Sequence, residues 1–436
     1  MSGMYGADVA QLRQLARQFD GAAERLDANR MTVGNAIQIS AWVGPVAVRF
    51  RHQWDSEHSR KVQSAAVRLR EAAHKLRANA DDQERTSAVG GALGRSAGSG
   101  KSRLPPHDAD PSDARSWWQG LSKEEQRRLI ESSPDRIGAM DGLPGSVRDE
   151  ANRIILQREL DAVRSQPCPA DPRKAEIYLD KLRALTQLEK ILKTQPGAAI
   201  LYLNTTEHPV KVAVGLGDVD NADHVGIFTQ GVSSRAGKDE GGIADKVTEV
   251  ASLRKETRSQ LALAGRRNES VAMVVWMGYD SPPGIADGTQ RIYAEIGAPK
   301  LASFAEGIRA NNAGTHLTGL GHSYGSTVTG MAVQQTDAFD SFVAFGSPGV
   351  GTNNVGDLKI DAERFYVLET WNDVLVADSG IHGGDPSRMD GAIELKTGRH
   401  GDLDGSGGHS EYLKEKSTSQ RNLALIAGGL DGKVIR

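Results

Sequence analysis

At 436 residues the chain exceeds a single ordinary domain of roughly 100 to 200 residues and reads as a composite. Its 53 Lys and Arg against 56 Asp and Glu leave a formal charge of −3, which excludes the electrostatic footprint of a nucleic-acid binder. With 38% hydrophobic and 25% charged residues it has enough apolar surface for a core, which excludes disorder throughout.

In chain order, Met1 to Asp8 lacks the basic and apolar regions of a signal peptide, so the expected location is the cytoplasm or outside the cell by another export route. The longest apolar runs, such as Val271 to Met277, fall well short of the roughly 20 residues of a membrane-spanning helix, and none is expected. Residues 1–86 are expected to form a helical hairpin. Leu12, Leu15, Phe19 and Leu26 recur at helical spacing, as do Phe50, Trp54, Val62, Leu69 and Leu76. Between the two runs lies Trp42-Val43-Gly44-Pro45, where Gly permits a turn and Pro opens the second helix. This W-x-G between two helices resembles the small WXG-motif proteins of type VII secretion systems. That resemblance implies type VII machinery or another helical partner for residues 1–86, and possible partners include a second copy of the chain in a homodimer. That family usually carries a Tyr, with an acidic residue four positions on, after the second helix, and Leu76 to Asp82 contains no Tyr.

Residues 87–111 are rich in Gly, Ser and Pro and read as a flexible linker. Gly94 to Ser102 imitates a phosphate loop, but Arg95 stands where the first Gly belongs and no strand precedes it. Residues 112–196 read as a helical collar, with starts at Ser122-Lys123-Glu124-Glu125 and Asp171-Pro172. The single cysteine, Cys168, has no partner for a disulfide or a zinc site.

In residues 197–436 short β-rich runs alternate with helical ones. The expected strands are Ala199–Leu203, Val210–Val214, His224–Thr229, Val271–Met277, His316–Gly319, Ser341–Phe345, Arg364–Glu369 and Ile393–Lys396. The expected helices are Ile243–Ala264, Ile285–Asn311, Ser326–Gln335 and Glu411–Leu425. This order predicts an α/β domain with a mostly parallel sheet of roughly eight strands, covered on both faces.

Gly321-His322-Ser323-Tyr324-Gly325 is a G-x-S-x-G motif between an expected strand and an expected helix, the context of a nucleophile elbow. Ser323 is the candidate nucleophile. The acid and the base must then follow it in the chain. Asp373, beyond the strand ending near Thr370, is the expected acid, with Asp378 and Asp385 as alternatives. His409, between the last strand and the last helix, is the expected base, ahead of His400 and His382. The main chain of Tyr324 and of Gly231 and Val232, in the loop after Val225–Phe228, is expected to supply the oxyanion donors. Asp402 to Gly407 imitates half of a calcium loop, but Leu413 stands where its closing Glu belongs. No metal or cofactor is expected.

Several further patterns join the elbow: Trp117-Trp118-x-x-Leu121, Asp141-Gly142-Leu143-Pro144 with Arg148 and Asn152, Gly217-Asp218 through Ala222-Asp223-His224-Val225, and Trp276-Met277-Gly278-Tyr279-Asp280. With them, the region from about Ser112 onward resembles an actinobacterial α/β-hydrolase family catalogued as a domain of unknown function. The resemblance implies an α/β-hydrolase fold with Ser323 as nucleophile, Asp373 as acid and His409 as base. That family usually has Pro where Gln230 stands here. Gly346-Ser347-Pro348-Gly349-Val350 is similar to lipases and points to an ester or lipid substrate. The expected activity is a serine esterase or lipase. The alternatives are a type VII exported antibacterial lipase toxin and an inactive secretion or interaction substrate.

Overall fold

The computed structural model describes residues 9–92, 104–106, 109–373 and 380–436. The phosphate-loop imitation at Gly94 to Ser102 and the alternative acid Asp378 lie outside the described residues. The chain divides into two compact units, Met1–Gly100 and Lys101–Arg436.

In the first unit, α1 (Val9–Ile39) is followed by α2 (Pro45–Gln53), which passes through one π-helical turn at Trp54–His58 into α3 (Ser59–Ala92). Ion pairs join Asp27 to Arg70 and Asp20 to Arg77, so residue numbers fall along one helix as they rise along the other, and the two helices run antiparallel. Gly44 takes φ 109° at the turn, and Pro45 opens α2 where a missing NH costs nothing. The Arg51 guanidinium donates to the carbonyls of Ile37, Ser40 and Trp42 at the C-terminal end of α1, where orphan carbonyls need donors. Ala16 and Ala23 on α1 and Ala66, Ala73 and Ala80 on α3, seven residues apart, are fully buried and alternate with the expected Leu12, Phe19 and Leu26 and the expected Val62, Leu69 and Leu76, which are half-buried, whereas the expected Leu15 and Phe50 are exposed. Methyl side chains let two helices approach closely, and a lone pair of helices cannot cover large side chains on every flank. The second helix also runs to Ala92, into the stretch expected to be linker.

The second unit begins with helices α4 (Pro111–Gln119), α5 (Lys123–Ser132), α6 (Pro134–Ala139), α7 (Gly145–Arg164) and α8 (Pro172–Thr194). Ser122 and Glu125 close a capping box on α5, and Asp171 caps α8 by accepting from Lys174 NH. An eight-stranded sheet follows, interleaved with the remaining helices: β1 (Ala198–Asn204), β2 (Lys211–Leu216), β3 (His224–Thr229), α9 (Ile243–Leu263), β4 (Val271–Met277), α10 (Ile292–Asn311), β5 (His316–His322), α11 (Tyr324–Val333), β6 (Ser341–Phe345), β7 (Phe365–Leu368), β8 (Ile393–Leu395) and α12 (Thr418–Ala427). The strand order is β1-β2-β4-β3-β5-β6-β7-β8, and β2 alone runs against the others. This is the α/β-hydrolase arrangement. One apolar core lies between the sheet and α8, α9 and α12, and a second lies between its other face and α10 and α11. Burial on both faces explains why β2, β3, β4, β6 and β7 are buried at every position rather than at alternate ones.

Two helices start later than expected. Residues 285–291 form turns and a 3-10 stretch at Asp287–Thr289 rather than the start of α10: Gln290 is extended, with ψ 130°, and its carbonyl accepts from Tyr324 Oη instead of continuing a helix. Residues 411–417 also lie outside α12. Lys416 takes φ 60°, and Ser417 then caps the helix by accepting from Gln420 NH.

The residues shared with the resembled family join the collar to the sheet. Arg148 Nη1 lies 2.9 Å from Asp141 Oδ1. Asn152 Nδ2 donates to Gly138 O at 3.1 Å and to Ile200 O of β1 at 2.8 Å. Asp220 Oδ1 accepts from Gly145 NH at the N-terminus of α7, at 2.8 Å.

Candidate active site

β5 ends at His322 and α11 begins at Tyr324, leaving Ser323 alone in the bend with φ 55°. For a residue with a side chain this conformation costs of order 1–3 kcal/mol, which the packed surroundings must hold in place. The flanking glycines make the bend possible through close approach. A Cβ on Gly321 would lie 2.5 Å from Ser326 Cα, and one on Gly325 would lie 2.1 Å from the Thr229 carbonyl of β3. Ser323 NH donates to Phe345 O at 3.0 Å, and Ser326 Oγ donates to Ser323 O at 2.6 Å.

The chain order anticipated for the other two residues brings them to this serine. His409 Nε2 lies 2.8 Å from Ser323 Oγ, and His409 Nδ1 lies 2.9 and 3.0 Å from the two carboxylate oxygens of Asp373. Asp373 follows β7 and is 2% exposed, so its charge is screened little by water. A carboxylate at Nδ1 fixes the tautomer in which Nε2 is free to accept the serine proton.

The supporting groups lay outside the sequence reading. Tyr412 Oη donates to Asp373 Oδ2 at 2.8 Å and accepts from Thr370 NH at 3.1 Å. Burial holds the Tyr412 phenol well above its ordinary pKa, so it stays a donor. Asn372 Oδ1 accepts from Gly408 NH at 2.6 Å, and Glu411 Oε2 accepts from Gly407 NH at 3.0 Å, which pins the loop carrying His409 from both sides. His322 donates from Nε2 to His409 O at 2.8 Å and packs its ring 4.9 Å from that of His409 and 5.3 Å from that of Phe345. Burial, then the neighbouring His409, pushes the His322 pKa down to about 3, so it is neutral at pH 7. Asn372 lies in a loop without periodicity and Tyr412 falls within the helix expected from Glu411, so no local pattern marks either as part of the site. His322 was legible only as the variable residue of the elbow.

Of the expected oxyanion donors, Gly231 packs directly on Ser323. A Cβ there would lie 2.6 Å from Ser323 Cβ and 2.8 Å from Tyr324 N. Val232 lines the same cleft. Among the described residues, the main-chain NH groups of Gly231, Val232 and Tyr324 make no hydrogen bond. The loop is braced from behind: Tyr279 Oη donates to Gln230 O, Ser234 Oγ to Gly231 O and Ser281 Oγ to Ser234 O. Ser323 and His409 open on a cleft of about 310 Å³, walled by Phe228, Val232, Phe345, Pro348 and Leu413. Ile285 and Ile381, both exposed, also line it. The Gly- and Pro-rich segment from Asp280 thus reaches the cleft through Ile285, Gly288 and Thr289.

The alternative residues sit elsewhere. Asp385 accepts from Ser387 NH and Oγ and lies 3.2 Å from Arg388 Nε, which makes it a turn-forming carboxylate. His400 is exposed and pairs its main chain with Leu403. His382 is buried and donates from Nε2 to Gly288 O at 2.7 Å. In the calcium-loop imitation, Asp404 exchanges main-chain hydrogen bonds with Lys416 and Thr418 and so ties the His409 loop to α12. No group of three or more His, Cys, Asp or Glu able to hold a metal occurs among the described residues, and no helix among them is long and apolar enough to cross a membrane.

This fold, with its strand-turn-helix serine, defines an α/β hydrolase. A family model described as alpha/beta hydrolase matches residues 206–380. The uncharacterized protein Rv0963c of Mycobacterium tuberculosis is 34% identical over 249 residues, which span 55% of this chain and 92% of its own. The uncharacterized protein Mb0988c of Mycobacterium bovis matches to the same extent. The uncharacterized protein Rv2079 of Mycobacterium tuberculosis is 27% identical over 298 residues, 61% of this chain and 44% of its own. The solved wild-type AbyA5 chain aligns at 14% identity over 79% of this chain and 91% of its own, with a TM-score of 0.30. The chain belongs to the α/β-hydrolase family.

Proposed function

We propose that the protein is a serine hydrolase of carboxylic esters, working through Ser323, His409 and Asp373. The observation that carries this reading is the unbroken hydrogen-bond path from Ser323 Oγ through His409 to Asp373, opening on the apolar-walled cleft. Ser323 Oγ attacks the ester carbonyl while His409 Nε2 takes its proton. The negative charge that develops on the carbonyl oxygen meets the free NH of Tyr324 and those of Gly231 and Val232. His409 then returns the proton to the leaving alcohol, water enters, and the same base activates it to release the acid and restore Ser323.

The preference for an ester, and for an apolar acyl group, is supported by Phe228, Val232, Phe345 and Leu413 on the walls of the cleft and by Ile285 and Ile381 exposed on its lining. Initial-rate assays on 4-nitrophenyl esters of increasing chain length test this reading. Wild type is expected to hydrolyse them, and Ser323→Ala to lose about 10³-fold or more in kcat while remaining folded. Equal rates in wild type and Ser323→Ala would place the chemistry elsewhere.

A further inference from the structure

Lys246 and Glu249, on the first two turns of α9, carry the only Asp, Glu, Lys or Arg side chains that line the cleft among the described residues. Lys246 Nζ lies 2.8 Å from both carboxylate oxygens of Glu249, and the two side chains keep 14% and 37% of their surface exposed. The pair stands on the side of the cleft that holds His409. Leu413, in the segment just after His409, packs in the same core as α9. Lys246 is also near enough to His322, whose ring packs on that of His409, for its charge to help keep that ring neutral. The opposite wall comes from other elements and is apolar. Tyr324 and Val232 belong to the second core, and Gly288 lies so close to Val232 that a Cβ there would be 2.9 Å from Val232 Cγ2. His382, donating to Gly288 O, brings the exposed Ile381 to the same wall as Ile285. Ser323 lies between, with the ring of His322 on the first wall and that of Tyr324 on the second.

We infer that Lys246 and Glu249 are specificity-determining residues that bind the hydroxyl groups of a neutral leaving alcohol, so that the preferred substrate joins an apolar acyl chain to a glycerol-like alcohol. This rests on the serine-hydrolase reading. His409 must hand its proton to the leaving oxygen, so the alcohol departs along the wall that carries the ion pair. An alkyl group laid over that pair would strip water from two charges and return nothing. Hydroxyl groups replace that water, because the ammonium has three protons to donate and each carboxylate oxygen accepts more than one hydrogen bond. The charges of the pair cancel, so a cationic or anionic alcohol that gains at one member is repelled by the other.

The test uses the full chain and two butyrate esters of matched shape: 1-butyrylglycerol, and 2-methylbutyl butyrate, in which methyl groups replace the two free hydroxyls. Wild type is expected to favour the glyceryl ester by about tenfold in kcat/KM, and the double variant Lys246→Met, Glu249→Leu to bring that ratio within about twofold. A wild-type preference below about threefold overturns the inference and leaves the hydrolase reading standing, as does a preference that survives in the double variant. Hydrolysis of neither ester also overturns it, and if a fluorophosphonate then fails to acylate Ser323 the hydrolase reading falls with it. Two single variants probe the same contact while keeping one charge each. Lys246→Gln should raise kcat/KM for butyrylcholine, whose alcohol is cationic, relative to 1-butyrylglycerol by about fivefold, and Glu249→Gln should lower it. An unchanged ratio in both would mean that the alcohol does not reach the pair, which overturns the inference even where the double variant does not fold.

Discussion

His322 ends β5 beside Ser323 and packs its ring on that of His409. Its Nε2 proton is committed to His409 O, and burial, with the neighbouring His409 ring, keeps it neutral. With its pKa pushed down to about 3 from 6.5, the folded protein declines a proton that the unfolded chain accepts. Stability therefore falls as the pH drops below about 6.5, and this loss continues toward pH 3. His316, also lowered by burial, adds to it in the same sense. His322→Gln keeps an amide donor for His409 O but removes the titration. Urea denaturation at pH 7 and pH 5 is expected to show up to about 2 kcal/mol less acid destabilisation in the variant than in wild type. An identical pH slope in the two proteins would mean that His322 is protonated in the folded state.

At the scale of elements, the sheet can place the site only if its first strand is held, and the collar does this through few polar contacts. Asn152 is fully buried and bridges Gly138 O of α6 to Ile200 O of β1. Asn152→Ala leaves both carbonyls without that donor and is expected to cost about 1–3 kcal/mol in denaturant unfolding, while the folded fraction keeps the wild-type rate of the proposed hydrolysis. A change under about 0.5 kcal/mol would contradict the role assigned to it.

All eight strands were legible, because runs such as Val271 to Met277 are apolar at both parities and are bounded by turn residues. The failures have physical causes. The helix expected from Ile285 begins only at Ile292, because Gln290 is extended and its carbonyl is taken by Tyr324 Oη, a contact from another element that no local pattern shows. The 411–417 stretch has helix-forming composition, but its residues are engaged around His409: Glu411 holds Gly407 NH and Tyr412 holds Asp373. In the hairpin, the large apolar residues marked the face of the seam, but its fully buried positions are the alanines between them, which apolar size does not single out. That Ser323, Asp373 and His409 would come together could be read from their order along the chain, each following a strand of the sheet. Tyr412 and Asn372 could not, since their contacts depend on loop paths that no local pattern specifies.

For the whole molecule, every group of the candidate site belongs to the second unit, where seven like-directed strands bring their C-terminal ends together. Ser323 comes from the end of β5, Asp373 from beyond β7 and His409 from beyond β8, so the hydrogen-bonded path assembles only when the sheet is complete. The central claim is that this path makes Ser323 a working nucleophile. The most direct test is intact mass after exposure to a fluorophosphonate, on wild type, Ser323→Ala and His409→Ala. A single covalent adduct on wild type, absent from Ser323→Ala and formed far more slowly by His409→Ala, is the predicted result. A folded wild type that takes up no adduct, or an adduct that persists in Ser323→Ala, would contradict it.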